Sequence, residues 1–127
     1  MNKDEKIAFI ANVIAVARAD GKLMDQEKQA ISRIAAQNQI FQKEVDQGRL
    51  LSKSPDFVPE PTGRFSDRIR NLEDMAYVAM SDRDFDPSEK EMVKLFAKRI
   101  ELSQEQLSII LDQSVARYKQ RKLMEVC

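Results

Sequence analysis

The chain of 127 residues contains no histidine and no tryptophan, one cysteine, three glycines and four prolines. Without histidine, the commonest general base and the commonest transition-metal ligand are missing. The single cysteine, Cys127, closes the sequence, so no internal disulfide and no thiolate zinc site can form. There is no excess of either charge: Lys plus Arg is 21 and Asp plus Glu is 21. That balance argues against a dedicated nucleic-acid binder, which carries a basic excess. Long apolar runs are missing too. Ile7 to Ala17 is broken by Asn12 and is too short to span a bilayer. Met1 to Lys6 carries mixed charge and does not read as a signal peptide, so the reducing cytoplasm is the expected compartment.

What remains is 43% hydrophobic and 33% charged residues, the balance of a folded, helix-rich domain. Residues 4 to 19 predict an amphipathic helix with Ile7, Ile10, Ile14 and Ala17 on one face. Ala8, Ala11, Ala15 and Ala17 let neighbouring helices approach closely. Gly21 ends this helix in a left-handed cap conformation. A second helix is predicted from Asp25 to Gln37, with Ala30, Ile31, Ile34 and Ala35 inward. A third runs from Gln42 to Ser52, weakened by Gly48. Residues 53 to 65 hold Pro55, Pro59, Pro61 and Gly63, which rule out a regular helix. Phe57, Val58 and Phe65 predict that this linker packs on the body.

Ser66 or Asp67 is expected to cap the fourth helix, which carries Ile69, Leu72, Met75, Ala76 and Ala79. Asp86-Pro87-Ser88-Glu89 starts a fifth: Asp86 as N-cap, Pro87 at the first position, Glu89 closing a capping box. Ser103 and Gln106 open the last helix in the same manner. Its stripe of Leu107, Ile110, Leu111, Ser114, Val115 and Tyr118 leads to a basic end, with Leu123 to Cys127 expected to fray.

The two halves match at an offset of 62 residues. Ile7 pairs with Ile69, Ile10 with Leu72, Ala17 with Ala79, Ile31 with Val93, Ile34 with Phe96, Ile40 with Leu102 and Val45 with Leu107. The expectation is a single all-α domain over 1–127, with repeats 4–52 and 66–121 joined by the linker. A pseudo-twofold axis would place equivalent turns in related positions.

The same offset superposes two acidic turns, Asp20 to Lys28 and Asp82 to Lys90. Asp82, Asp84 and Asp86 alternate like the first ligands of an EF-hand loop. The match fails further on, since Pro87 stands where that loop needs glycine and Val93 where it needs a bidentate glutamate. A looser oxygen site for calcium, magnesium or manganese would draw on Asp20, Glu27, Asp82, Asp84, Asp86 and Glu89. The competing account is structural: such residues also cap helices and favour their N-termini. A carboxylate metal enzyme would need a cleft and a positioned nucleophile, for which the sequence gives no signal.

Ala17-Arg18-Ala19-Asp20-Gly21 with Glu27 resembles the hallmark of the TerB-like family, which includes a tellurite-resistance protein and a domain of a DnaJ-like co-chaperone. Ala79-Met80-Ser81-Asp82 with Glu89 is similar to that family's second copy, departing from it at Arg83, where a glycine would match Gly21. The resemblance runs from Ile7 to about Tyr118. It implies an all-α, non-enzymatic bacterial protein of stress or tellurite response. It also implies divalent-cation binding through Asp20, Glu27, Asp82 and Glu89.

A protein-interaction module is compatible with these readings, its partner unnamed. The acidic turns would be one surface, and Arg64, Arg68, Arg70, Arg117, Lys119, Arg121 and Lys122 would supply a basic one. A purely structural scaffold without a ligand is the alternative. Met75, Met80 and Met92 read as core fillers, Tyr77 and Tyr118 as packing residues at the core edge.

Overall fold

The computed structural model describes residues 1–19, 21, 23, 25–81 and 86–126, with side chains through Met124. Six helices follow one another: α1 (Lys3–Ala17), α2 (Asp25–Gln37), α3 (Gln42–Ser52), α4 (Phe65–Met80), α5 (Pro87–Arg99) and α6 (Gln104–Val126). No strand occurs among the described residues, and none of their helices is long and apolar enough to cross a membrane.

α1 and α4 pack against each other at the centre. α3 and α2 flank α1, and α5 and α6 flank α4. All six helices contribute to one apolar cluster, with Phe9, Ile34, Leu72, Met75 and Phe96 among its most enclosed members. Met75 and Met80 are buried as core fillers.

α1 departs from the one-sided helix that its stripe predicts. Every residue from Phe9 to Ala17 is buried, so its second half is enclosed on all sides. The physical reason is its position: it meets α2, α3, α4 and α5, and a helix surrounded by helices has no solvent face. It begins with an Asn2–Glu5 capping box and ends at Ala17, two residues earlier than expected. The chain then tightens through Ala19 N–H to Val16 O (3.1 Å) and Gly21 N–H to Arg18 O (2.9 Å), and Gly21 takes a φ of +84°.

α2 and α3 have the bounds that the periodicity predicts. Both α2 and α5 end in a residue of positive φ, Gln39 (57°) and Glu101 (63°), which stand 62 positions apart. The two turns also share their closing bond. Ile40 N–H reaches Ala35 O at 2.8 Å, and Leu102 N–H reaches Ala97 O at 3.0 Å. This is the long return bond of a Schellman ending, and it turns each helix toward the next without a glycine.

Three starts and ends differ in detail. α4 begins at Phe65, and Asp67 acts from inside the first turn by accepting the Arg64 N–H at 3.0 Å. α5 starts on Asp86 and Pro87 as expected, but the box is not closed by Glu89: the Asp86 carboxylate accepts the Ser88 N–H at 2.8 Å, while Glu89 is buried. α6 opens with the reciprocal Ser103–Gln106 box and continues as helix to Val126, without the early fraying expected.

The linker is anchored by polar contacts. Val58 and Phe65 are exposed and Phe57 is half-buried, whereas Pro59 is buried. Asn12 of α1 holds the chain beside it, donating from Nδ2 to Glu60 O (2.8 Å) and accepting the Glu60 N–H at Oδ1 (3.2 Å). Arg99 of α5 adds an ion pair to Glu60 (2.7 Å) and a bond to Pro59 O (3.3 Å). The same Asn12 Nδ2 donates to Asn71 Oδ1 of α4 at 2.8 Å, and Asn71 Nδ2 donates back to Phe9 O at 3.1 Å.

Gly48 marks the closest approach of α3 to α1. A Cβ there would lie 2.6 Å from Ile10 Cγ2 and 3.2 Å from both Ala11 N and Ile7 O. Helix propensity favours alanine over glycine by about 1 kcal/mol, and overpacking costs about 1–3 kcal/mol. Ile10 is fully buried and cannot give way freely, so overpacking wins. Gly48→Ala is therefore expected to lower the unfolding midpoint, read by thermal or urea melts. A stabilised variant would mean that α3 can shift outward at little cost.

Candidate functional site

Three of the six predicted ligands are described, and they fall into two roles. Asp20, Asp82 and Asp84 lie outside the described residues, as does Cys127. Glu27 occupies the third position of α2, and Glu89 the third position of α5. Both are fully buried. They lie under the first turns of their helices, where exposed amides and the helix dipole favour negative charge. Leu23, just ahead of α2, packs against the apolar cluster and helps to close the first turn over the core.

Asp86 stands apart from this pair. Its carboxylate is exposed and accepts both the N–H and the hydroxyl of Ser88. Those two bonds hold it below the ordinary carboxylate range. Its chemistry here is that of an N-cap.

The donor set suits hard cations: carboxylate oxygens with no histidine or thiolate among them. Among the described residues, no three acidic, histidine or cysteine side chains come together in a group that could hold a metal ion. Glu27 and Glu89 are the described members that are withdrawn from water, the property that separates them from ordinary surface acids.

A second polar cluster escapes the sequence pattern. Asp74 of α4 is almost fully enclosed and meets Arg117 Nη1 of α6 at 3.0 Å. Asn38, at the end of α2, donates to the other carboxylate oxygen at 3.3 Å. Arg117 also donates to Gln37 Oε1 at 2.9 Å and stacks over the Tyr77 ring at 4.2 Å. Gln37, Asn38, Asp74 and Arg117 line an open cleft of about 410 Å³ that Arg70 and Glu73 complete. Burial pushes the Asp74 carboxyl up, and Arg117 and Asn38 partly pull it back.

Part of the expected basic face is engaged within the molecule. Arg117 is engaged with Asp74 and Tyr77, Arg68 Nε is bonded to Gly63 O (3.3 Å), and Arg64 precedes α4 as its cap residue. The face is therefore spent in part on tying α6 and the linker to α4. Tyr77 is enclosed more deeply than a core-edge residue, and Tyr118 is half-buried beside it in role. A signal for Asp74 was present: it interrupts a run of buried positions in α4, as Asn12 and Asn71 interrupt theirs.

No family model, curated protein or solved structure matches the chain in comparisons with each.

The Asp74 arrangement has a pH signature. A carboxyl whose folded-state pKa is raised gives stability that is complete below the unfolded value and declines as pH climbs through the folded one. Asp74 is raised from 3.8, so its charge costs stability above that pH. The stability difference between wild type and Asp74→Asn is expected to shift in favour of the variant as pH rises from about 3 to about 7. Urea unfolding of both proteins across that range measures it. A difference that moves toward wild type would mean that Arg117 outweighs burial.

Proposed function

We propose that this chain is a TerB-like helical module, built of two similar halves, that works by protein interaction and holds a divalent cation at the acidic turns opening α2 and α5. The observation that carries this reading is the pair Glu27 and Glu89. They are fully enclosed carboxylates at the same helical position, 62 residues apart. Charged side chains are rarely enclosed to this degree. Two placed alike at the third positions of α2 and α5 suit a role beyond helix capping, which Asp86 performs from the surface. The matching left-handed endings at Gln39 and Glu101 support the two-half arrangement.

On this reading the module has no catalytic step. Its first function is to present helical surfaces to a bacterial protein partner in the cytoplasm, in a stress or tellurite response. The cation brings positive charge to the acidic openings of α2 and α5. Glu27 and Glu89 would provide hard oxygen donors, with Asp20, Asp82 and Asp84 as the further proposed ligands.

The direct test is calorimetric titration with calcium, magnesium and manganese, joined to thermal melts. A bound cation at a hundredfold excess over its Kd adds about 2.7 kcal/mol to stability. Wild type should release heat and melt higher at millimolar metal. Glu27→Gln and Glu89→Gln, folded by circular dichroism, should lose most of that response. No heat and no shift at millimolar metal would overturn the cation role and leave a helical scaffold without a ligand.

A further inference from the structure

α5 and α6 both pack on α4 but hardly touch each other. Between them lies an open groove of about 490 Å³. Leu95, Leu102, Leu107 and Leu111 supply its apolar surface, and Leu95 is 51% exposed. A second apolar hollow of about 360 Å³ adjoins it across Leu95, bounded by Val58, Met92 and the linker. The two together make a continuous apolar strip on one side of the molecule.

The rim of this strip is mainly basic. Lys90, Lys94 and Lys98 recur every fourth residue along α5 and line the groove. All three are exposed, and none has an ion pair or side-chain hydrogen bond among the described residues. The facing wall from α6 is neutral there, with Ser103, Gln104 and Ser108. Glu91 is the one acidic side chain among the described residues that line the groove. Eight residues of helix span about 12 Å, so the lysines flank the strip for two helical turns.

The repeat provides an internal control. At an offset of 62, Lys94 and Lys98 correspond to Ser32 and Ala36, Leu95 to Arg33 and Leu111 to Arg49, whereas Lys90, Leu102 and Leu107 match Lys28, Ile40 and Val45. The first half therefore keeps one of the three lysines and two of the four apolar positions, and lacks the run Lys94–Lys98 and the apolar residues at the Leu95 and Leu111 positions. Lys94, Leu95, Lys98 and Leu111 are thus particular to the second half and are not required by the helix-pair geometry.

We propose that the groove between α5 and α6 docks an amphipathic helix of a partner protein, its apolar stripe seated on Leu95, Leu102, Leu107 and Leu111 and an acidic flank set against Lys90, Lys94 and Lys98. The apolar floor selects a helix face with residues at i, i+3, i+4 and i+7. The lysine row fixes its direction of roll and excludes basic helices, because like charges across an interface repel. The proposal rests on the interaction half of the function above and is independent of the cation half.

Fluorescence anisotropy with the full chain tests it. The probe is a labelled helical peptide of roughly 15 residues with a leucine stripe and glutamates along one flank, compared with a twin carrying lysines there. The acidic peptide should bind, and the lysine twin should bind at least about tenfold more weakly. The double variant Lys94→Glu/Lys98→Glu should reverse that preference, and Leu95→Asp should abolish binding of both peptides. These positions are exposed, so the variants should keep the wild-type melt and the wild-type response to metal. Equal binding of both peptides, or an unchanged preference in the charge-reversed variant, would overturn the proposal. So would displacement of the peptide by duplex DNA, or a dimer in sedimentation that Leu95→Asp dissolves, since each assigns the groove to another occupant. A failed metal titration with peptide binding intact would remove the cation role alone.

Discussion

Two asparagines in the middle of the core set the frame on which the rest of the molecule is built. Asn12 and Asn71 face each other where α1 crosses α4, both withdrawn from water. A buried amide is costly when its groups lack partners. Here Asn12 reaches Asn71 and both backbone groups of Glu60, and Asn71 reaches Phe9 O. One network thus joins the first central helix, the second central helix and the linker between them. Apolar packing would accept several rotations of α1 against α4. Directional bonds in a low-dielectric interior accept far fewer.

The outer helices inherit that choice. α3 lies close on α1 because Gly48 permits it, and α6 is drawn to α4 by Arg117 on Asp74 and Tyr77. The two outer layers are therefore held by different means, a close backbone approach on one side and a half-buried ion pair on the other. α5 is tied back to the linker through Arg99 and Glu60. With α5 held toward the linker and α6 held toward α4, the space between them stays open and keeps its leucines in reach of a partner. The same frame carries α2 and α5 with Glu27 and Glu89 sealed beneath their first turns.

Local signals were readable wherever a residue acts on its own helix. The stripe of Ala30, Ile31, Ile34 and Ala35 marks α2, Pro87 after Asp86 marks the start of α5, and Ser103 with Gln106 marks that of α6. Residues that act across helices were harder to place. A one-sided stripe in α1 does not reveal that four helices surround it. Gly48 reads as a helix weakness until the facing Ile10 is known. The acidic turns gave the positions of Glu27 and Glu89 but not their burial, because enclosure depends on what packs over the first turn. Asp74 and Arg117 stand 43 residues apart, and nothing in either local pattern joins them. Their one trace is a polar residue at a core-facing position, the same trace that Asn12 and Asn71 leave.

The central claim is that Asn12 and Asn71 act as a unit in fixing the α1–α4 crossing. A double-mutant cycle on unfolding free energy tests it, with Asn12→Ala, Asn71→Ala and the double variant. Partners that share a buried bond show coupling of about 0.5–3 kcal/mol, and independent sites add to within about 0.5 kcal/mol. The account predicts that each single change is costly and that the double variant costs clearly less than their sum. Costs that simply add would contradict it, and would leave the crossing to apolar packing alone.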